Sequence, residues 1–435
     1  MPSLFAAQKV KAFSPELRVA DIKFNTAKII QAIWDSADSG VKVLVLPELC
    51  VCGASCGDLL LQSTLLDACE EAINSIRFAS EGKDILVFVG TPLRNSSKIY
   101  NCAVAICNGE ILGVVPKTAP STYLGARDSR YFAVAELNGA ISIGAQAYAF
   151  ASDLVFECEA LGSLRVGCVI GDDALAFDNP IGQRCGSGAT VIAHLDARCA
   201  IVGSYERKSQ ALVAQSAMCK CAIVSASAGE GETSSDVLFA THNIICENGE
   251  ILAQCAPFSS KNGECVSEID TELLVNAHVG DAGALEASST APFSLKNEKT
   301  ALSRKIDAYP FISGDRERYE FILTIQARAL AKRLVASHSK TAVLGISGGL
   351  DSTLALLVLC RATDYLGWER EKIHAITMPC FGTTKRTRSN AERLCDELGT
   401  EFRTVDIKAS VTQHLADIGH DESVHDVTYE NAQAR

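Results

Sequence analysis

The apolar positions change their period along the chain, and each change marks an element. From Asp21 to Asp35 they fall at Ile22, Phe24, Ala27, Ile29, Ile30 and Ile33. That spacing predicts an amphipathic helix, ended by Gly40. Val41 to Leu46 is a short apolar run that predicts a strand buried on both faces. Asp84 to Gly90 and Ser163 to Ile170 predict two more. Tyr100 to Cys107 and Ile111 to Val115 flank Asn108-Gly109, the signal of a hairpin. After a further strand at Ala222 to Ala228, Ile244 to Leu252 turns in the same way at Glu247-Asn248-Gly249-Glu250.

From Glu272 to Ser303 the strand pattern lapses into Ala, Ser, Glu and Asn, which predicts a linker with some helical propensity, closed by Tyr309-Pro310-Phe311. A long helix is predicted from Arg316 to Ser337 by the stripe of Tyr319, Ile322, Ile325, Leu330 and Leu334, of which Tyr319 and Ile322 are assigned to the core. Strands at Thr341 to Leu344, Lys372 to Met378 and Phe402 to Asp406 alternate with helices at Thr353 to Cys360 and Ser389 to Gly399. Such alternation predicts a parallel, doubly wound sheet with its ligand at the carboxyl ends of the strands.

A chain of 435 residues exceeds one typical core, so two domains are expected. With 48% apolar and 21% charged residues it is an ordinary folded chain. A net charge of -12 argues against a general nucleic-acid binder. No run is long and apolar enough to span a membrane, and Met1 to Val19, carrying Lys9, Lys11 and Glu16, has no signal-peptide core. A cytoplasmic protein with no membrane partner is expected. Eighteen cysteines are scattered through apolar runs, which reads as buried free thiols. Cys50, Cys52 and Cys56 lack a partner pair at metal-ligand spacing.

Two places carry chemistry. Gly345-Ile346-Ser347-Gly348-Gly349-Leu350-Asp351-Ser352 follows a strand and opens a helix. Glycines let the backbone approach an anion, and the first helical N–H groups point at it. Asp351 is placed to hold magnesium beside phosphate oxygens. Beyond the next strand Lys385, Arg386 and Arg388 form a basic loop suited to phosphates. In the first half Pro47-Glu48 and Pro116-Lys117 each end an apolar strand, where a glutamate can serve as a base.

Ser-Gly-Gly-x-Asp-Ser resembles the pyrophosphate loop of ATP pyrophosphatases, which activate a carboxylate or carbonyl as an adenylate. Glu48, Lys117 and the end of the strand at Ile170 match the order Glu, Lys, Cys of the nitrilase superfamily. There a thiolate attacks a carbonyl, the glutamate carries the proton and the lysine stabilises the oxyanion. Together the halves resemble the glutamine-dependent NAD synthetases, over essentially the whole chain. The resemblance implies an α/β protein: an α-β-β-α sandwich in residues 1–271, a linker in 272–310, and in 311–435 the N-terminal part of a doubly wound, parallel-sheet ATP pyrophosphatase domain. It implies ATP and magnesium, ATP contacts from Gly345 to Ser352, glutamine contact at Tyr123, and contacts from Asn431 and Arg435 to deamido-NAD (nicotinic acid adenine dinucleotide). It also implies a homo-oligomer, and a chain that stops short of the family's C-terminal part.

The resemblance fails at one decisive place. The family's nucleophilic cysteine falls on Gly171, within Val169-Ile170-Gly171-Asp172-Asp173, and glycine has no atom that can attack. Cys168 is an odd number of residues away on a strand, facing the opposite side, and reads as a core thiol. His194-Leu195-Asp196-Ala197-Arg198 replaces a family pocket segment, Ser204 stands for a substrate-binding arginine, and Asp128 for a second glutamate. The expectation is NAD formation from ammonia with an inactive glutaminase half. Three other readings fit the same residues: another amidating or thiolating ATP pyrophosphatase, a nitrilase-type amidase with a regulatory tail, and a non-catalytic assembly subunit.

Overall fold

The computed structural model describes residues 3–4, 7–120, 128–134, 139–258, 263–279, 289–306, 309, 312, 314–381 and 385–434. The chain divides into two compact units, Met1–Ile306 and Asp307–Arg435.

In the first unit two sheets face each other. One has eight strands, in the order 263–270, 7–14, 43–45, 86–95, 98–107, 110–116, 146–150 and 139–143. The other has seven, in the order 250–254, 244–247, 222–227, 191–196, 165–170, 154–158 and 289–293. Alternation within each strand divides its side chains between two cores. Leu86 and Phe88 point between the sheets, where Phe88 meets Phe156 edge to face at 5.4 Å. Val87 and Val89 point outward, under the helices Ile22–Asp38 and Ser63–Ala79. On the far side Val169, Ile192 and Ile223 lie under the helices Pro180–Gly186 and Ser204–Met218. The result is the expected α-β-β-α sandwich, and it explains the continuous apolar runs: both faces of the central strands are covered. Both hairpins form, Lys98–Cys107 with Glu110–Pro116 and Ile244–Glu247 with Glu250–Gln254. The side chain of Asp21 caps the first helix by accepting from the Phe24 N–H.

The second unit has a three-stranded parallel sheet, Ala342–Gly345, Ile373–Thr377 and Glu401–Thr404, paired in that order. Ile346, Leu356, Leu359, Ile373, Ala375 and Cys395 form its core.

Three expectations need correcting. The stretch from Glu272 to Ser303, expected as a strandless linker, contains most of the helix Thr271–Ala277, and Ser289–Phe293 joins the seven-stranded sheet beside Leu154–Cys158. That strand escapes a reading of local pattern because it is a sheet edge, where Pro292 and polar residues are tolerated and pairing does the work of hydrophobicity. The segment is held further by Glu268, whose carboxylate accepts from Ser303 N–H and Oγ–H and from Arg304 N–H. Tyr319 and Ile322, assigned to the core, are 39% and 40% exposed. Their helix, Arg316–Ala336, instead buries the small residues Ala327 and Ala331 against Val358 and Ala362 of the helix Leu350–Leu366. Lys385, Arg386 and Arg388 lie in the first turn of the helix Lys385–Leu398 rather than in a loop. Nothing between Lys385 and Ser389 opposes a helix, and Lys and Arg are good helix formers.

Candidate functional site

Glu48 sits in a tight turn just beyond the strand Val43–Val45, with Leu49 at a φ of +54°. The neighbouring strand passes directly beneath it at Gly90. A Cβ there would stand 2.3 Å from the Pro47 carbonyl oxygen and 2.5 Å from Leu49 N, so only glycine permits the approach. Lys117 leaves the end of Glu110–Pro116, and its N–H donates to the Asn101 carbonyl at 2.8 Å. The loop that follows is fixed by the buried Asp173 carboxylate, which accepts from the N–H groups of Thr118 (2.6 Å) and Ala119 (2.9 Å).

The fold brings these side chains together. Lys117 Nζ donates to Glu48 Oε1 at 2.8 Å and to Asp128 Oδ2 at 2.6 Å. Asn101 Nδ2 donates to Glu48 Oε1 at 2.6 Å, and the Ala197 N–H to Glu48 Oε2 at 3.0 Å. Both Glu48 and Lys117 are buried. Burial pushes the Glu48 carboxyl up to about 7, with Asp128 adding to the rise and the nearby Lys117 charge opposing it. For Lys117 burial acts downward, but Glu48 and Asp128 overcome it and hold the ammonium charged. Glu48 is thus suited to exchange a proton near neutrality.

Gly171 closes the group, at the end of the strand Arg165–Ile170 and with a φ of +55°. A Cβ built on it would lie 2.7 Å from Glu48 Oε2 and 2.7 Å from Lys117 Nζ. The position assigned to the nucleophile therefore does face the glutamate and the lysine, and their side-chain ends fill the space a side chain at 171 would need. His194 holds the Gly171 peptide: Nε2 lies 3.0 Å from the Gly171 carbonyl and Nδ1 2.9 Å from Ser225 Oγ. A carbonyl only accepts, so Nε2 carries the proton. Burial pushes His194 down to about 4, keeping the ring neutral. Cys168 is fully buried between the sheets, and burial raises its thiol well above the ordinary range. It does not line the cavity.

That cavity has a volume of about 730 Å³, and Glu48, Lys117, Asp128, Gly171, Arg198 and Ser204 are among the residues lining it. Arg198 pairs with Asp172 at its wall. Asp196, also at the wall, pairs with the buried Lys208 behind it at 2.7 Å, and Lys208 Nζ also donates to Ser227 Oγ at 2.5 Å and the His242 carbonyl at 3.1 Å. Sequence reasoning missed Asn101, Gly90, Asp173 and Lys208. Only Asn101 carried a signal, as a polar residue within an apolar strand. Tyr123 lies outside the described residues.

In the second unit Ile346 anchors the glycine loop. Its side chain is buried and its N–H donates to the Ile376 carbonyl at 2.8 Å. Gly348 and Ser352 are half-buried and the other loop residues are exposed. Gly348 has a φ of +79°, Gly349 is the cap residue of the helix Leu350–Leu366, and the Gly349 N–H donates to Ser347 Oγ at 3.2 Å. Ser352 Oγ donates to the Gly349 carbonyl at 3.2 Å, holding the turn. Asp351 is exposed in the first helical turn. Asn431 is exposed on the helix Val427–Ala434, while Arg435 and the side chains of Lys385, Arg386 and Arg388 lie outside the described residues. Among the described residues no helix is long and apolar enough to cross a membrane.

Residues 322–435 match the NAD synthase family model. A glutamine-dependent NAD(+) synthetase from Mycobacterium leprae is 35% identical over 98% of this chain, and one from Mycobacterium tuberculosis is 34% identical over the same share. The chain spans 66% of the length of these curated relatives, just under two thirds. Among solved structures, a glutamine-dependent NAD(+) synthetase from Cytophaga hutchinsonii superposes with a TM-score of 0.55 at 18% identity, covering 98% of this chain and 71% of that one. An amidase from Nesterenkonia sp. AN1 in complex with butyramide superposes with a TM-score of 0.50 at 14% identity, covering 63% of this chain and 96% of its own. These two likenesses bear on the fold alone.

Proposed function

We propose that this chain, 35% identical over 98% of its length to a glutamine-dependent NAD(+) synthetase and matched by the NAD synthase family model over residues 322–435, is a member of that family, and that it contributes to NAD biosynthesis by amidating deamido-NAD at the expense of ATP, with free ammonia as the nitrogen source. One observation carries the choice of ammonia. The position that faces Glu48 and Lys117 in the first unit is Gly171, which carries no thiol to take the acyl group of glutamine. Cys168 is no substitute, buried as it is between the sheets with its proton firmly held.

The amidation belongs to the second unit. Its loop from Gly345 to Ser352 presents the free N–H groups of a helix start to an anion, which suits the pyrophosphate of ATP. The nicotinate carboxylate would attack the α-phosphorus of ATP, releasing pyrophosphate and leaving an acyl adenylate. Ammonia would then attack the acyl carbon and expel AMP. Asn431 and Arg435 are the proposed contacts to deamido-NAD. Magnesium fits this site in a limited way. Among the described residues no three His, Cys, Asp or Glu side chains converge on a metal position, which leaves Asp351 as the carboxylate at the loop. A magnesium ion held chiefly by water and phosphate needs only one or two carboxylates. When bound it would draw negative charge from the phosphate oxygens.

The test uses purified protein with ATP, magnesium, deamido-NAD and either ammonium or glutamine, following label into NAD and glutamate release in parallel. NAD from ammonium and no glutamate from glutamine is the expected outcome. Glutamate release abolished by Cys168→Ala would refute the ammonia reading, whereas ATP binding without NAD from either donor would refute the synthetase reading.

A further inference from the structure

Cys255 and Cys265 are separated by only a short stretch of chain, but they belong to different sheets. Cys255 follows the strand Glu250–Gln254, an edge of the seven-stranded sheet, and Cys265 lies in Gly263–Asp270, an edge of the eight-stranded sheet. Their sulfurs are 3.0 Å apart. The backbone around them is fixed: the Cys255 N–H donates to the Asn243 carbonyl at 2.9 Å, and Asn243 Nδ2 donates to the Gly263 carbonyl at 3.2 Å. The two thiols also differ in access. Cys265 is 3% exposed in the core between the sheets, while Cys255 is half-buried at its margin.

From this geometry we propose that Cys255 and Cys265 form a reversible disulfide that joins the two sheets at their edge strands, with a small-molecule disulfide of the glutathione type as oxidant. Cys255 reacts first because it alone of the pair reaches solvent. The hydrogen bond from Cys265 brings its thiol down to about 7, leaving much of it as thiolate at neutral pH, while Cys265 is raised and stays protonated. The Cys255 thiolate attacks one sulfur of the oxidant and expels the other half as a thiol. Cys265 then gives up its proton, attacks the Cys255 sulfur and displaces the second half. Two protein thiols and one disulfide become one protein disulfide and two small thiols, so atoms and electrons balance. Most of the other cysteines are buried, and burial holds Cys50, Cys102 and Cys168 well above their ordinary range, so the same oxidant leaves these unreacted.

The test incubates the native wild-type chain with oxidised glutathione, alkylates the remaining thiols and maps peptides by mass spectrometry. The expected product is a peptide joining Cys255 to Cys265, about tenfold more abundant than any other modified cysteine and lost on adding reduced glutathione. In Cys265→Ser the reaction should stop at a mixed disulfide on Cys255, and in Cys255→Ser Cys265 should stay unmodified. A wild-type chain carrying only glutathionylated Cys255, or one in which neither residue reacts while other cysteines do, overturns the proposal. So does glutathionylation of Cys265 in Cys255→Ser.

Discussion

Replacing Gly171 by alanine tests whether Glu48 and Lys117 occupy the space that a side chain at position 171 would need. Two costs add. The φ of +55° disfavours any residue with a Cβ by about 1–2 kcal/mol. The Cβ would also lie 2.7 Å from both Glu48 Oε2 and Lys117 Nζ, so these buried ends must retreat. Glu48 Oε2 accepts from Ala197 N–H at 3.0 Å and Lys117 Nζ donates to Glu48 at 2.8 Å, so retreat weakens charge-assisted bonds worth about 1.5–3 kcal/mol each. A total near 3–5 kcal/mol follows from these terms. Gly40→Ala supplies the control: its φ is +78° and nothing lies within 4 Å of its Cβ, so it carries the backbone cost alone. Trp34 and Trp368 are the two tryptophans of the chain, one in each unit. In a Trp368→Phe background, urea titration followed by Trp34 fluorescence reports the first unit. Equal losses for Gly171→Ala and Gly40→Ala would refute the argument.

Two further perturbations probe the buried charges. A carboxyl raised from 4.5 to about 7 contributes stability that is full below 4.5 and is lost as pH rises to 7. Relative to Glu48→Gln, the wild type should lose about 3 kcal/mol between those pH values, from about 1.4 kcal/mol per unit; parallel urea-derived curves would show the carboxyl is not raised. Lys117, raised from its ordinary value, contributes a constant amount across that window and loses it only at higher pH. Lys208→Met leaves the buried Asp196 charge without its partner and should cost about 3–5 kcal/mol at pH 7. Asp196 is held below its ordinary range despite burial, chiefly by Lys208, so in the variant it protonates more readily and the loss should shrink on acidification. A penalty independent of pH would argue that Lys208 acts through packing instead.

The sequence alone determined what is local. Periods of two and 3.6 and the Asn-Gly turns placed most strands and helices, because each depends on residues a few positions apart. The glycine loop was equally legible, since it is a statement about residue identity, as was the presence of a glycine at 171. Only the tertiary structure decided which groups share a space. Residues 48, 117, 128 and 171 are far apart in sequence, and no spacing rule indicates that the first two crowd the fourth. The same holds for Ser289–Phe293, an edge strand made by its pairing with Leu154–Cys158 rather than by its composition. It holds for the helix Arg316–Ala336, where Tyr319, Ile322 and Ile325 match the period yet are exposed, while Ala327 and Ala331 are the residues buried against the next helix. Cys255 and Cys265 look like two more core cysteines until the two sheet edges bring their sulfurs together. Periodicity records which face of an element is apolar, whereas the packing of elements decides what that face meets.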